Sequence, residues 1–261
     1  MKFSKKSLGQ NFLRDKNVIK KILNTVKIKN KNVVEIGPGD GALTEQILKS
    51  NPKSLILIEK DFNLSLKLKL RFEKNKSVKI FCQDFLKFNL EKSIKKDTII
   101  FGNLPYNISS QIFVNLIRFN NWPPKYKDLI LMFQKELGEK IIAHFPSSNY
   151  GRLAILSNLM FYVKKKFLVS PNCFKPKPKV NSIVIHFKPK MIKSFNFKNI
   201  KNLEKITNIL FSNKRKMINK NLKKILNDEE IHSIKDIRMN MRPSEIKPEI
   251  YYRITEIFEK K

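Results

Sequence analysis

The stretch that most limits how this chain can fold is Asn32-Val33-Val34-Glu35-Ile36. It runs straight into Gly37-Pro38-Gly39-Asp40-Gly41-Ala42 and then into Leu43-Thr44-Glu45-Gln46-Ile47-Leu48. A short β-branched, apolar run reads as a buried strand, the glycines admit positive φ, and the residues after them start a helix. Strand, glycine loop and helix together bring loop N–H groups and a helix N-terminus to one edge of a sheet. Further strands are expected at residues 54–58, 78–82, 97–101 and 128–134, with a last pair at 167–169 and 182–187 forming a hairpin-like edge. Helices are expected at 108–119, 135–145 and 150–160, between or after these strands. Strands alternating with helices predict an α/β chain with a largely parallel sheet that binds its ligand at the carboxyl ends of the strands.

That edge carries chemistry. Strand 54–58 ends at Glu59, about 20 residues after the glycines, where an acid can bond a ribose diol. Gly37-x-Gly39-x-x-Ala42 also satisfies a relaxed dinucleotide fingerprint, so a nicotinamide oxidoreductase stays open on the loop alone. Strand 78–82 ends at Gln83-Asp84. Asp84 is placed either to bond the amino group of an adenine or to cap a turn. Strand 97–101 breaks at Gly102 and delivers Asn103-Leu104-Pro105-Tyr106, which hydride transfer has no use for. The Asn103 side-chain carbonyl and the Leu104 backbone carbonyl can accept both hydrogens of an exocyclic amino group. Pro105 fixes the loop and Tyr106 offers a flat stacking face. The alternative is an ordinary strand-to-helix turn with a satisfied Asn and a packed Tyr.

The formal net charge is +32, a balance that points to a polyanionic partner, although a Lys-rich compositional bias accounts for part of it. No apolar run approaches the ~18 residues of a spanning helix, and no apolar segment follows the basic start, so neither a membrane partner nor a secretory signal is expected. Cys82 and Cys173 lie far apart, and His144, His186 and His232 are scattered, which suggests no metal site and a reducing, cytoplasmic setting.

Residues 1–14 read as a basic arm that docks through Phe12 and Leu13, and Asp15 caps a helix with Val18, Ile19, Ile22, Leu23 and Val26 on one face. The stiff segment 170–180 sets Lys175, Lys177 and Lys179 among prolines beside Phe174. It suits either the holding of a flipped base and its phosphates or a rigid connector with Phe174 tucked into the core. Composition shifts near Pro189, dividing a domain at 1–188 from an all-helical one at 189–261. A basic linker at 190–201 gives way to helix from Leu203 onward, including 211–222. Leu210, Met217, Ile218, Leu222 and Ile225 share one face, while Lys216, Lys220, Lys223 and Lys224 share the other. Lys214 lands on the apolar face without explanation. Arg242-Pro243-Ser244-Glu245 is expected to break the helix and cap the last one.

These residues resemble the KsgA-type ribosomal RNA adenine N6-dimethyltransferases over nearly the whole chain. The matching segments are Leu8-Gly9-Gln10-Asn11-Phe12-Leu13, residues 35–41, Asn103-Leu104-Pro105-Tyr106, Phe133-Gln134-Lys135-Glu136, Tyr150-Gly151-Arg152-Leu153, Phe174-x-Pro176-x-Pro178-Lys179-Val180 and the basic run 211–222. The resemblance implies a Rossmann-like class I methyltransferase, a seven-stranded mixed sheet with a small helical C-terminal domain. It implies S-adenosylmethionine as methyl donor, lined by Asn11, Leu13, Gly37, Gly39, Glu59, Asp84 and Asn103, and no metal. It implies Asn103, Leu104, Tyr106 and Phe174 around the target base, and RNA contacts at Lys175, Lys177, Lys179, Lys214, Arg215 and Lys216. The implied substrate is a pair of adjacent adenosines in the 3′-terminal hairpin loop of 16S rRNA, dimethylated at N6 in the small ribosomal subunit by a monomer. Two departures are slight: Lys175 and Lys177 stand where the family often has more proline, and Lys214-Arg215-Lys216 where it is richer in Arg. The rival readings are the antibiotic-resistance methyltransferases of large-subunit rRNA and a non-catalytic RNA-binding assembly factor.

Overall fold

The computed structural model describes residues 11–191 and 198–261, so Leu8-Gly9-Gln10 of the arm and part of the 190–201 linker lie outside the described residues. The described chain divides into two units. One holds the residues up to Phe119 with Pro124–Gly138 and Tyr162–Pro189; the other holds Asn120–Pro123, Glu139–Phe161 and Lys190–Lys261. The expected boundary at 188/189 therefore captures only part of the division. The helix Arg152–Met160 belongs with the C-terminal helices because it is apolar nearly all round, with Ala154, Ile155, Leu156, Leu159 and Met160 all buried.

The strands among the described residues are β1 Phe12–Leu13, β2 Asn32–Ile36, β3 Ser54–Glu59, β4 Val78–Cys82, β5 Thr98–Asn103, β6 Tyr126–Gln134, β7 Phe161–Val169, β8 Phe174–Lys175 and β9 Ser182–Pro189. Seven of them form one mixed sheet in the order β4-β3-β2-β5-β6-β9-β7. Neighbours from β4 through β6 run parallel, and β9 runs antiparallel to β6. The helices Ala42–Lys49, Phe62–Phe72 and Ser109–Ile117 form the crossovers that parallel pairing requires. The chain steps outward from β2 through β3 to β4, then returns to pair β5 on the other side of β2. The order thus reverses between β2 and β5, and a crevice opens outside their carboxyl ends, at Gly37 and Asn103.

The arm docks as the sequence suggested. β1 pairs antiparallel with β8, with Leu13 opposite Phe174, and the Arg14 N–H donates to the Cys173 carbonyl at 2.8 Å. This pairing corrects one expectation. Phe174 is not an exposed ring beside a target base; it is 5% exposed and packs in the core with Leu13, Met132, Val169 and Val184. Of the two sequence readings of this segment, the connector with a buried Phe is the one realised, because the pairing turns alternate residues inward and leaves Lys175 outside.

Other differences have simple causes. β7 begins at Phe161, six residues earlier than expected, since the edge run Tyr162-Val163-Lys164-Lys165-Lys166 is exposed throughout and shows no inside–outside alternation. The helix expected over 135–145 ends at Ile141. In the second unit the helix Ile200–Phe211 stops, and residues 212–218 form turns rather than continuing it. Five polar residues separate Phe211 from Met217, so no apolar stripe holds a helix there. Met217 is exposed, and Lys214 has no apolar face to conflict with. Arg242-Pro243-Ser244-Glu245 forms a separate tight turn, its Arg242 N–H donating to Glu245 at 2.7 Å, and the last helix starts at Pro248. Tyr150 and Tyr252 close this unit's core by donating their hydroxyls to the Ile246 and Ile155 carbonyls.

If Phe174 is a core residue, Phe174→Ala lowers the stability of the sheet unit by about 3–5 kcal/mol. Urea unfolding followed by far-UV circular dichroism measures this; a loss of activity without a loss of stability would contradict the placement.

Candidate active site

The crevice at the strand reversal is lined by the β2 glycine loop, the ends of β3 and β4, the Asn103–Asn107 turn after β5, and the arm residues Asn11, Phe12 and Leu13. Gly39 has φ +62°, and a Cβ added there would lie 2.8 Å from the Phe12 ring. The arm and the loop are thus in direct contact, and only glycine fits between them. The Gly39 N–H donates to Glu59 Oε2 at 3.0 Å and the Asp61 N–H to Oε1 at 2.8 Å. Glu59 therefore ties the loop to the end of β3. Burial raises its pKa, while backbone donors from Asp61, Gly39 and Lys60 oppose the rise.

Beneath the loop, Glu35 is buried at the end of β2 and accepts a 2.6 Å hydrogen bond from the Thr44 hydroxyl. Desolvation pushes its pKa up to about 8, and the charges of Glu59 and Asp40 add to the effect. Sequence reading passed over Glu35 as a strand residue, although an acid within an apolar strand is itself a signal.

Asp84 caps a turn, one of the two roles the sequence allowed for, and does so at the edge of the crevice. Its Oδ1 accepts from the Leu86 N–H at 3.0 Å, and its Oδ2 pairs with Lys60 Nζ at 2.8 Å. That lysine hydrogen bond holds its carboxyl below the usual value. Lys60, next to the predicted Glu59, also lines the crevice and was missed.

At the end of β5 the Asn103 side-chain amide donates to the Asn11 backbone carbonyl at 2.9 Å. With its nitrogen engaged by the arm, the group presents Oδ1 as an acceptor. Tyr106 lies three residues on, half-buried, its hydroxyl 2.6 Å from the buried Ser182 hydroxyl. Burial raises its pKa, so the ring stays a neutral phenol. The Ser109 hydroxyl donates to the Tyr106 carbonyl at 3.1 Å, which starts the next helix and fixes the turn.

Of the predicted residues, Asn11, Leu13, Gly37, Gly39, Glu59, Asp84, Asn103, Leu104 and Tyr106 line this one crevice. Phe174 does not. Lys175, Lys177 and Lys179 are exposed on the segment around β8, and Lys214, Arg215 and Lys216 are exposed on the turns of the second unit. A loop that admits no Cβ, an acid at the end of β3 and an acid at the end of β4 fit the amino-acid, ribose and adenine parts of an adenosyl cofactor in that order. Among the described residues no group of three His, Cys, Asp or Glu could hold a metal ion.

A family model described as "Ribosomal RNA adenine dimethylase" matches residues 1–260. The chain belongs to the ribosomal RNA adenine dimethylase family. It is similar to the ribosomal RNA small subunit methyltransferase A of Pelagibacter ubique (43% identical, 98% of this chain and 97% of that one). The corresponding protein of Malacoplasma penetrans is 39% identical over 97% of this chain and 91% of its own. Among solved structures, a dimethyladenosine transferase from Plasmodium falciparum superposes with a TM-score of 0.74 at 25% identity, covering 95% of this chain and 98% of that one. The 23S rRNA methyltransferase ErmE shares the fold with a TM-score of 0.69 at 22% identity, covering 95% of this chain and all of that one. For a dimethylase, S-adenosylmethionine is the methyl donor, and the expected class I methyltransferase fold is the one observed.

Two measurements test the crevice. Gly39→Ala drives a methyl into the Phe12 ring and abolishes S-adenosylmethionine binding by calorimetry, whereas an alanine at the exposed Ser170 leaves binding intact. Glu35 keeps its proton in the folded chain up to about pH 8 but loses it near 4.5 when unfolded. Its share of stability is therefore present at low pH and is lost as pH rises from about 4.5 through 8. Thermal midpoints should show that decline, and Glu35→Gln should flatten it; an unchanged slope would contradict a neutral buried Glu35.

Proposed function

We propose that this dimethylase acts on N6 of two adjacent adenosines in the 3′-terminal hairpin loop of 16S rRNA within the small ribosomal subunit, in the cytoplasm and as a monomer. The observation that carries the chemistry is the Asn103 amide held by the arm. It leaves Oδ1 to accept one N–H of an adenine amino group while the Leu104 carbonyl accepts the other. The nitrogen lone pair is otherwise delocalised into the ring. Accepting both hydrogens favours a pyramidal nitrogen and turns the lone pair toward the incoming methyl, so the protein's contribution is alignment and electrostatics.

S-adenosylmethionine supplies an electrophilic sulfonium methyl when bound. Asn11, Leu13, Gly37, Gly39, Glu59 and Asp84 would hold it, with Lys60 keeping Asp84 ionised. Tyr106, oriented by Ser182, stacks one face of the target base. Such a stack is worth about 1–3 kcal/mol, comparable with the cost of extruding a base. The methylated nitrogen is acidic and releases its proton to solvent, so no strong base is needed. The monomethyl product keeps one N–H and re-enters for the second transfer. The names of the relatives support the small-subunit substrate, and the family description supports an adenine of ribosomal RNA. The exposed Lys175, Lys177, Lys179, Lys214, Arg215 and Lys216 support phosphate contacts.

Asn103→Ala is expected to slow single-turnover methyl transfer to small subunits by about a hundredfold or more while leaving subunit affinity nearly unchanged. An equal loss of affinity would remove Asn103 from the chemistry and make it a binding residue.

A further inference from the structure

Between Glu139 and Glu204 the chain contains no Asp or Glu. A genome-wide taste for lysine adds cations everywhere but does not empty so long a stretch of acids. The first unit places much of this stretch together, as the edge strand β7, the loop 170–180 and β9. On β7, Tyr162, Lys164, Lys166 and Leu168 alternate onto one face of the strand, and all four are exposed. Lys164 lies over the Tyr162 ring, 5.4 Å from its centroid. At the C-terminal end of the strand the other side is anchored: Phe167 packs against the core with Lys21 over its ring at 4.4 Å, and Val169 is buried with Leu13 and Phe174. β7 therefore ends where the loop bearing Lys175, Lys177 and Lys179 begins. Acids on neighbouring elements are already engaged, since Asp15 caps the first helix and Asp128 bonds His186 at 2.7 Å.

We propose that the outer face of β7 is an RNA phosphate track, continuous with the loop lysines, along which Lys164 and Lys166 contact the backbone of the small-subunit rRNA and Tyr162 offers a face to an unpaired base. It rests on the reading of small-subunit rRNA as substrate and adds to it a surface outside the crevice. Two observations select RNA as the occupant. The charged groups of the face are all cationic, which disfavours a second copy of this +32 chain, and an aromatic ring alternates with the lysines, as suits a polyanion carrying stacked bases. The competing explanation is that the lysines only keep an exposed edge from pairing with other strands. Charge reversal separates the two, because Glu protects an edge as well as Lys does.

The experiment measures binding of the full chain to small subunits lacking the modification, across a salt series, with S-adenosylmethionine affinity and the thermal midpoint as controls. Lys164→Glu/Lys166→Glu is expected to weaken binding by about tenfold or more. The Lys164→Gln/Lys166→Gln pair is expected to make the slope of log affinity against log salt shallower by roughly 1.4 to 1.8, at about 0.7–0.9 for each phosphate left without its lysine. Lys164→Arg/Lys166→Arg should restore both, and cofactor affinity should not move. Charge-reversed protein that stays monomeric and binds subunits like the parent overturns the track, as does a defect seen only on anionic phosphatidylglycerol vesicles. If the parent transfers methyl groups to the large subunit and not the small, the underlying substrate reading fails instead, and that outcome is read from the parent alone.

Discussion

The hydrogen bond from the Asn103 amide to the Asn11 carbonyl joins residues 92 positions apart, and the arrangement of the crevice depends on it. It brings the arm across the carboxyl ends of β2 and β5, where the strand order reverses. The same placement sets Phe12 against Gly39, so the loop keeps its conformation only with glycine there. Glu59 completes the frame by accepting the Gly39 N–H from the end of β3. In the proposed reading the cofactor cradle and the acceptor for the amino group share this one set of contacts.

This coupling explains why the chemistry rests on few polar groups. Glu35 and Glu59 are buried close to one another, and both are pushed toward the neutral form by desolvation. Asp84 differs because Lys60 is bound to it and the crevice rim is wetter. Buried Glu35 and Glu59 thus differ in character from Asp84, which a cation holds ionised.

Much of this was legible in the sequence because strands, glycines and the Asn103 tetrad are local signals. β2, β3 and β4 follow from apolar runs stopped by Gly37, Glu59 and Gln83-Asp84, and the residues at those stops are among those that line the crevice. The misses arose where the deciding partner was distant. The segment around Phe174 allowed both a ring beside the base and a buried connector, and the choice between them was not local, because β1, some 160 residues earlier, pairs with it. Phe12 was expected to dock, but its contact with Gly39 needed the folded loop. Residues 212–218 read as helix because spacing was projected through a polar run that has no core to face. The β7 edge escaped notice because lysines exposed on both sides carry no periodicity.

Tritiated methyl groups followed from S-adenosylmethionine into small subunits lacking this modification, with large subunits and naked rRNA in parallel, test the proposed substrate most directly. Label is expected as N6,N6-dimethyladenosine confined to the 3′-terminal loop of the small-subunit rRNA. Label on large-subunit RNA, or salt-sensitive binding to the small subunit with no transfer, would contradict it.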